Sequence, residues 1–131
     1  MSWLDGHLSG PAVESEQVHK ALEQLEERFA QREPSVRAFL PEPGRFARLH
    51  REAEEAFAAH PDPRSRGPLF GVPLGVKDVF HVDGLPTRAG SRLPPEELAG
   101  PQEGAVARLR AEGALTAGKT FTTEFVEAAG K

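Results

Sequence analysis

Val72-Pro73-Leu74-Gly75-Val76-Lys77 reads as a short buried strand, apolar along most of its length, with a proline near its start where a missing N–H is tolerated. Strand side chains alternate between faces, so Val72, Leu74 and Val76 share one face and Pro73, Gly75 and Lys77 the other. Lys77 then stands at the strand end beside Gly75, whose lack of a side chain leaves room above the sheet. Asp78 points the opposite way if the strand continues, so a Lys77–Asp78 ion pair is not expected. Further along, Ala114-Leu115-Thr116-Ala117-Gly118 makes a second buried strand. Between them a helix is expected from about Glu103 to Glu112, with Val106 and Leu109 on its inner side and Gly113 where a C-cap glycine belongs. A helix between two short apolar strands implies a parallel βαβ crossover in a helix-covered sheet. Two strands make no stable sheet of that kind alone, so they either pair with further strands or leave sheet edges open.

Upstream the periodicity changes. Val18, Leu22, Leu25 and Phe29 form one apolar stripe at helical spacing, and Pro34 is expected to end that helix. A second stripe, Phe46, Leu49, Ala53, Ala56 and Phe57, follows Pro43-Gly44 and ends before Pro61. Pro61 to Pro68 is a turn-rich connector, and residues 83–101 form a long, mostly irregular excursion. The expected organisation is a flexible lead-in over 1–12, a helical segment over 13–66 and the start of an α/β domain over 67–131. The fold class is therefore α/β: N-terminal helices plus a βαβ-like piece of a helix-covered sheet.

Bulk composition narrows function. A net charge of −4 with 27% charged residues leaves no electrostatic footprint for DNA or RNA. No cysteine is present, which removes disulfides, thiolate chemistry and cysteine-based zinc sites. The start, Met1-Ser2-Trp3-Leu4-Asp5-Gly6, has no basic stretch followed by an apolar run, and no apolar segment reaches the roughly 18 residues of a membrane span. A cytoplasmic location is expected by default. Only Lys20, Lys77, Lys119 and Lys131 are lysines, so each can be weighed singly. A lysine held in dry surroundings at a strand end is harder to keep protonated and can serve as a base, whereas one that reaches water is only a solubilising charge.

Gly67-Pro68-Leu69-Phe70-Gly71-Val72-Pro73-Leu74-Gly75-Val76-Lys77-Asp78 resembles the Gly-Pro-Leu-x-Gly-x-Pro-x-x-x-Lys-Asp motif of the amidase-signature enzymes. Three further stretches agree in order and spacing: Gly84-Leu85-Pro86-Thr87 with Ala89-Gly90-Ser91, Ala107 to Ala114, and Gly118-Lys119-Thr120 with Thr123-Glu124-Phe125. After Phe125, the tail Val126 to Lys131 departs from the family pattern. The resemblance implies the mixed sheet of that family and hydrolysis of a linear amide C–N bond, or the amide-cleaving half of an amidotransferase. It implies a Ser–cis-Ser–Lys mechanism in which Lys77 is the catalytic lysine, its ammonium expected to be kept out of water at the strand tip, with Gly71, Gly75, Asp78 and Ser91 shaping the strand ends around it. It implies no cofactor. Both serines of the family's triad lie in a Gly/Ser-rich stretch C-terminal to the Thr-Glu-Phe element. Ser2, Ser9, Ser15, Ser35, Ser65 and Ser91 have no such setting, so the sequence holds only the lysine and is expected to be truncated and inactive alone. Self-association, or a complementary chain, is the expected partnership.

Three other readings compete. A non-catalytic remnant or interaction module would use the same packing. Gly113-Ala114-Leu115-Thr116-Ala117-Gly118-Lys119-Thr120 satisfies G-x-x-x-x-G-K-[ST], which would make a nucleotide-binding loop if it wrapped rather than ran as a strand. Asp78, His81 and Asp83 lie close enough in sequence for a divalent ion.

Overall fold

A computed structural model describes residues 10–122. After a 3-10 turn at Gly10–Ala12 come helix α1 (Ser15–Val36), helix α2 (Arg45–Ala59), strand β1 (Pro73–Lys77), helix α3 (Gly104–Ala111) and strand β2 (Leu115–Thr120), with further 3-10 turns at Pro63–Ser65 and Pro95–Glu97. The strands pair in parallel, joined by α3, so the sequence's βαβ reading is what forms.

Local chemistry sets the helix limits. Gln17 reaches back from the first turn of α1 to accept the Glu14 N–H at 2.8 Å. Pro34 does not end α1, contrary to the sequence expectation: the helix runs on to Val36. A proline in the last turn forfeits only one hydrogen bond. Glu33 recovers several groups nearby, its carbonyl accepting the Arg37 N–H and its carboxylate those of Ala38 and Phe39. Helix α3 starts where Glu103 accepts the N–H groups of Ala105 and Val106. It ends in a Schellman arrangement, Gly113 N–H to Arg110 and Ala114 N–H to Leu109. Gly113 has φ +98°, and a Cβ there would lie 2.2 Å from Phe70 Cδ1, so neither the backbone nor the packing admits a side chain.

One core joins the two halves of the chain. Val13, Val18 and Leu22 from the first helical region, Leu49 and Ala53 from α2, Phe70 and Leu115 form a single buried cluster. Phe57 meets Phe70 edge-on, and the Arg66 guanidinium stacks 4.5 Å from the Phe70 ring centre.

The edge of β2 away from β1 is partly covered. Residues 38–40 run antiparallel to it, with Leu40 N–H donating to Lys119 and Phe121 N–H to Ala38. No described strand lies on the outer edge of β1.

Pairing between the strands is interrupted once. Pro73 and Leu74 face Leu115 and Thr116, but Gly75 faces Gly118, leaving Ala117 as an extra residue in β2. A one-residue slip exchanges the two faces of a strand beyond it. Lys119 is therefore opposite Val76, and Thr120 is opposite Lys77.

Candidate active site

The C-terminal ends of β1 and β2 carry the charged groups that matter. Beyond the bulge, Val76 and Lys119 share one face, with Asp78 continuing it; Lys77 and Thr120 share the other. The outcome is an ion pair that sequence reading missed. Lys119 Nζ lies 2.9 Å from Asp78 Oδ1, and the two residues are only 4% and 1% exposed. The remaining ammonium protons face Thr87 Oγ1 at 3.1 Å and the Pro86 carbonyl at 3.4 Å. Asp78 also accepts the Arg88 N–H, its own N–H donates to the Thr120 carbonyl, and its carbonyl accepts the Ala89 N–H. Thr87 in turn bonds His81 Nδ1 at 3.0 Å. This polar knot ties both strand ends to the returning 79–90 segment.

Lys77 is at the end of β1, where the sequence placed it, and it does not pair with Asp78. Its burial differs from expectation: Lys77 is exposed, and the dry lysine among the described residues is Lys119. The register explains the exchange. Lys119 turns toward the face closed over by Pro86, Thr87 and Arg88. Lys77 lies at the tip of the other face, past the cover that Phe39 gives Gly75. Gly75 is exposed, and a Cβ there would lie 3.1 Å from Thr120 Cγ2 and 3.4 Å from the Phe39 ring, so these two side chains take part of the room expected there. Gly71 donates its N–H to Gly113, and Ser91 Oγ accepts the Leu93 N–H, closing a local turn.

The bulge is held from α2. Arg45, 6% exposed, donates to the Ala117 carbonyl at 2.8 Å and to the Leu40 carbonyl at 2.7 Å, between the rings of Phe29 and Phe39. A Cβ on Gly118 would fall 1.8 Å from its Nη1. Burial, partly opposed by the Glu42 carboxylate, holds the Arg45 guanidinium below its ordinary pKa. Burial acts the same way on Arg48, but hydrogen bonding to Glu42 and the charges of Glu52 and Glu42 outweigh it and raise that group. Glu52 also accepts the Thr116 N–H at 3.1 Å and lies 3.7 Å from Arg110.

Two of the competing readings find no support in the geometry. Residues 115–120 are a strand inside the sheet, so no loop wraps a phosphate at the G-x-x-x-x-G-K-[ST] match. Asp78 and His81 are committed to Lys119, Arg88 and Thr87, and no group of three or more His, Asp or Glu suited to a metal ion occurs among the described residues. Thr123, Glu124 and Phe125 lie outside the described residues.

The sequence profile of the amidases matches residues 20–129. The chain belongs to the amidase family. The match passes through Phe125 to residue 129, so most of the tail follows the family pattern after all. This amidase-family chain is 39% identical over 126 residues to the A subunit of the glutamyl-tRNA(Gln) amidotransferase of Synechococcus sp. (strain RCC307), covering 95% of the chain and 24% of that protein. It is 49% identical over 63 residues to an amidase of Pseudomonas putida, covering 47% of the chain and 13% of that protein. Among solved structures, the peptide amidase of Stenotrophomonas maltophilia superposes with a TM-score of 0.64 at 31% identity, over 86% of this chain and 22% of that one. The chain thus spans about a quarter or less of the length of these relatives. Among the described residues no helix is long and apolar enough to cross a membrane.

Proposed function

We propose that this chain supplies the lysine of a Ser–cis-Ser–Lys site that cleaves a linear amide C–N bond. In this reading Lys77 Nζ, deprotonated for the step, takes a proton from a bridging serine, which takes one from a nucleophilic serine. The nucleophile's Oγ attacks the amide carbonyl, the amine leaves with a proton returned along the same path, and water hydrolyses the acyl-enzyme. Backbone N–H groups of the glycine-rich stretch stabilise the oxyanion. Both serines come from outside these 131 residues, so the chain alone does not hydrolyse amides.

The observation that carries the reading is the position of Lys77 at the C-terminal end of a parallel strand, within the family's Lys-Asp motif, with Asp78 engaged elsewhere. In open parallel sheets that end is where ligands bind. The amidotransferase and the amidases named above share an amide as the bond their names imply, and that chemistry is carried over here by similarity. A cytoplasmic location, and either self-association or a complementary chain bearing the serines, belong to the same proposal.

The test is reconstitution. Mixed with a serine-bearing portion of an amidase-family protein, the chain should hydrolyse members of a panel of simple amides, and Lys77→Ala should abolish the activity. The exposure of Lys77 favours a second reading, a non-catalytic module of the same fold. Reconstituted hydrolysis that is indifferent to Lys77→Ala would establish that alternative.

A further inference from the structure

We propose that His19 and His50 form a single-proton latch between α1 and α2, closed while at most one of the two rings is charged and released when acid charges both. The latch is independent of the reading of Lys77 given above.

Three observations carry it. First, His19 Nδ1 and His50 Nδ1 lie 2.6 Å apart, and the two ring planes differ by only 4°. The ring centres are 4.9 Å apart, which is that N–N distance plus the span from centre to nitrogen in each ring, so the rings meet edge to edge in one plane rather than face to face. Such a contact is a hydrogen bond, and it needs one nitrogen to carry the proton and the other to be bare. Two imidazoles on one zinc-like ion, each at about 2.0–2.1 Å from it, stand farther apart than this, so the geometry suits a proton and not a metal. Second, the pair joins two helices across 31 residues of sequence, at the rim of the core. His19 follows Val18 and His50 follows Leu49, both fully buried, while the histidines themselves are half-buried and within reach of solvent protons. Third, by helical spacing the charged residues that share a face with the pair are Glu16 and Glu23 on α1, one turn either side of His19, and Glu54 on α2, one turn beyond His50; Lys20 and Arg51 lie about 100° round their helices. A second proton therefore meets carboxylates and no cation on these faces. What opposes it is the N–H already aimed at it from the other ring.

With one shared proton the pair is a donor and an acceptor, charge-assisted when the donor ring is an imidazolium. With both rings charged, two N–H groups point head-on into a gap that admits one hydrogen, and like charges face each other. The rings part, and the α1–α2 contact they close is lost. The stabilisation the pair gives is present while a bare Nδ1 remains and disappears as acid protonates it.

Two measurements on the 131-residue chain test this without any amidase activity. Nitrogen NMR of the imidazoles at about pH 8, above the ordinary histidine value of about 6.5, should show one of the two rings protonated at Nδ1 and the other at Nε2. Both rings protonated only at Nε2 overturns the shared proton. In the same sample taken to acid, the nuclear Overhauser contacts between the rings should be gone once both are imidazolium, and their persistence overturns the latch. A double-mutant cycle of His19→Phe, His50→Phe and the double variant, read by urea unfolding, separates the pair from every other titrating group, because those groups occur in all four chains. The coupling should favour the folded state about fivefold at about pH 8 and vanish at about pH 5. A coupling absent at the higher pH, or equal at both, overturns the proposal.

Discussion

Replacing Lys119 by Met strands the Asp78 carboxylate at 1% exposure, with only the Arg88 N–H for compensation. Breaking a buried pair from one side costs about 3–5 kcal/mol, so thermal unfolding of Lys119→Met should come tens of degrees lower or be lost. Removing both charges, as Asp78→Leu/Lys119→Met, should recover much of that loss, because a well-packed apolar pair can replace a buried ion pair at little cost. Lys77→Met should shift the melting temperature very little, since substitutions at exposed positions away from special contacts stay within about 0.5 kcal/mol. The contrast between the two lysines is a direct reading of their surroundings. At Gly113, an alanine must adopt a positive φ and displace Phe70; roughly 2–3 kcal/mol of destabilisation, seen as a lower urea midpoint at unchanged slope, is expected.

At the scale of elements, the bulge in β2 is the feature on which the site turns, and α2 is what holds it. Arg45→Met would keep much of the contact with Phe29 and Phe39 but leave the Leu40 carbonyl without its guanidinium donor and the Ala117 carbonyl with only the longer Arg48 contact. A buried acceptor left without a donor costs about 1–3 kcal/mol, so Arg45→Met should destabilise the chain by about 2–4 kcal/mol in urea unfolding. Amide exchange should also quicken at Gly118 to Thr120 rather than uniformly, because it is the register beyond Ala117 that loses its anchor. A uniform change across the chain would mean that Arg45 serves the core and not the bulge. Glu42, Arg48, Glu52 and Arg110 extend the same scaffold, with Glu52 accepting Thr116 just before the bulge.

For the whole molecule, the decisive asymmetry lies in the sheet's two edges. Residues 38–40 cover the far end of β2, whereas β1 has no described strand beyond it. An uncovered strand edge is a template for pairing with another chain. The 131-residue chain should therefore show concentration-dependent association by sedimentation velocity. A proline at Lys77, whose N–H faces the open edge because that of Asp78 is bound to Thr120, should weaken it if β1 is the contact. A single monomeric species up to high concentration would sink the idea that β1 seeks a partner.

The helices, the parallel pair and their crossover were legible in the residues because they follow from local rules. Apolar spacing in α1 and α2, a cap glycine at Gly113 and the two apolar runs are set by neighbours in the chain. The Gly67–Asp78 motif likewise located Lys77 at a strand end. What sequence alone did not decide was which lysine is dry. That follows from a single unpaired residue, Ala117, which reverses the facing of everything after it in β2. At the bulge Arg45, far away in sequence, meets the Ala117 carbonyl across the helix–sheet interface. Nor did proline's local tendency foresee that Glu33 would carry α1 beyond Pro34. Periodicity is a property of neighbours along a chain; register and burial belong to partners brought together in space, and only folding chooses those.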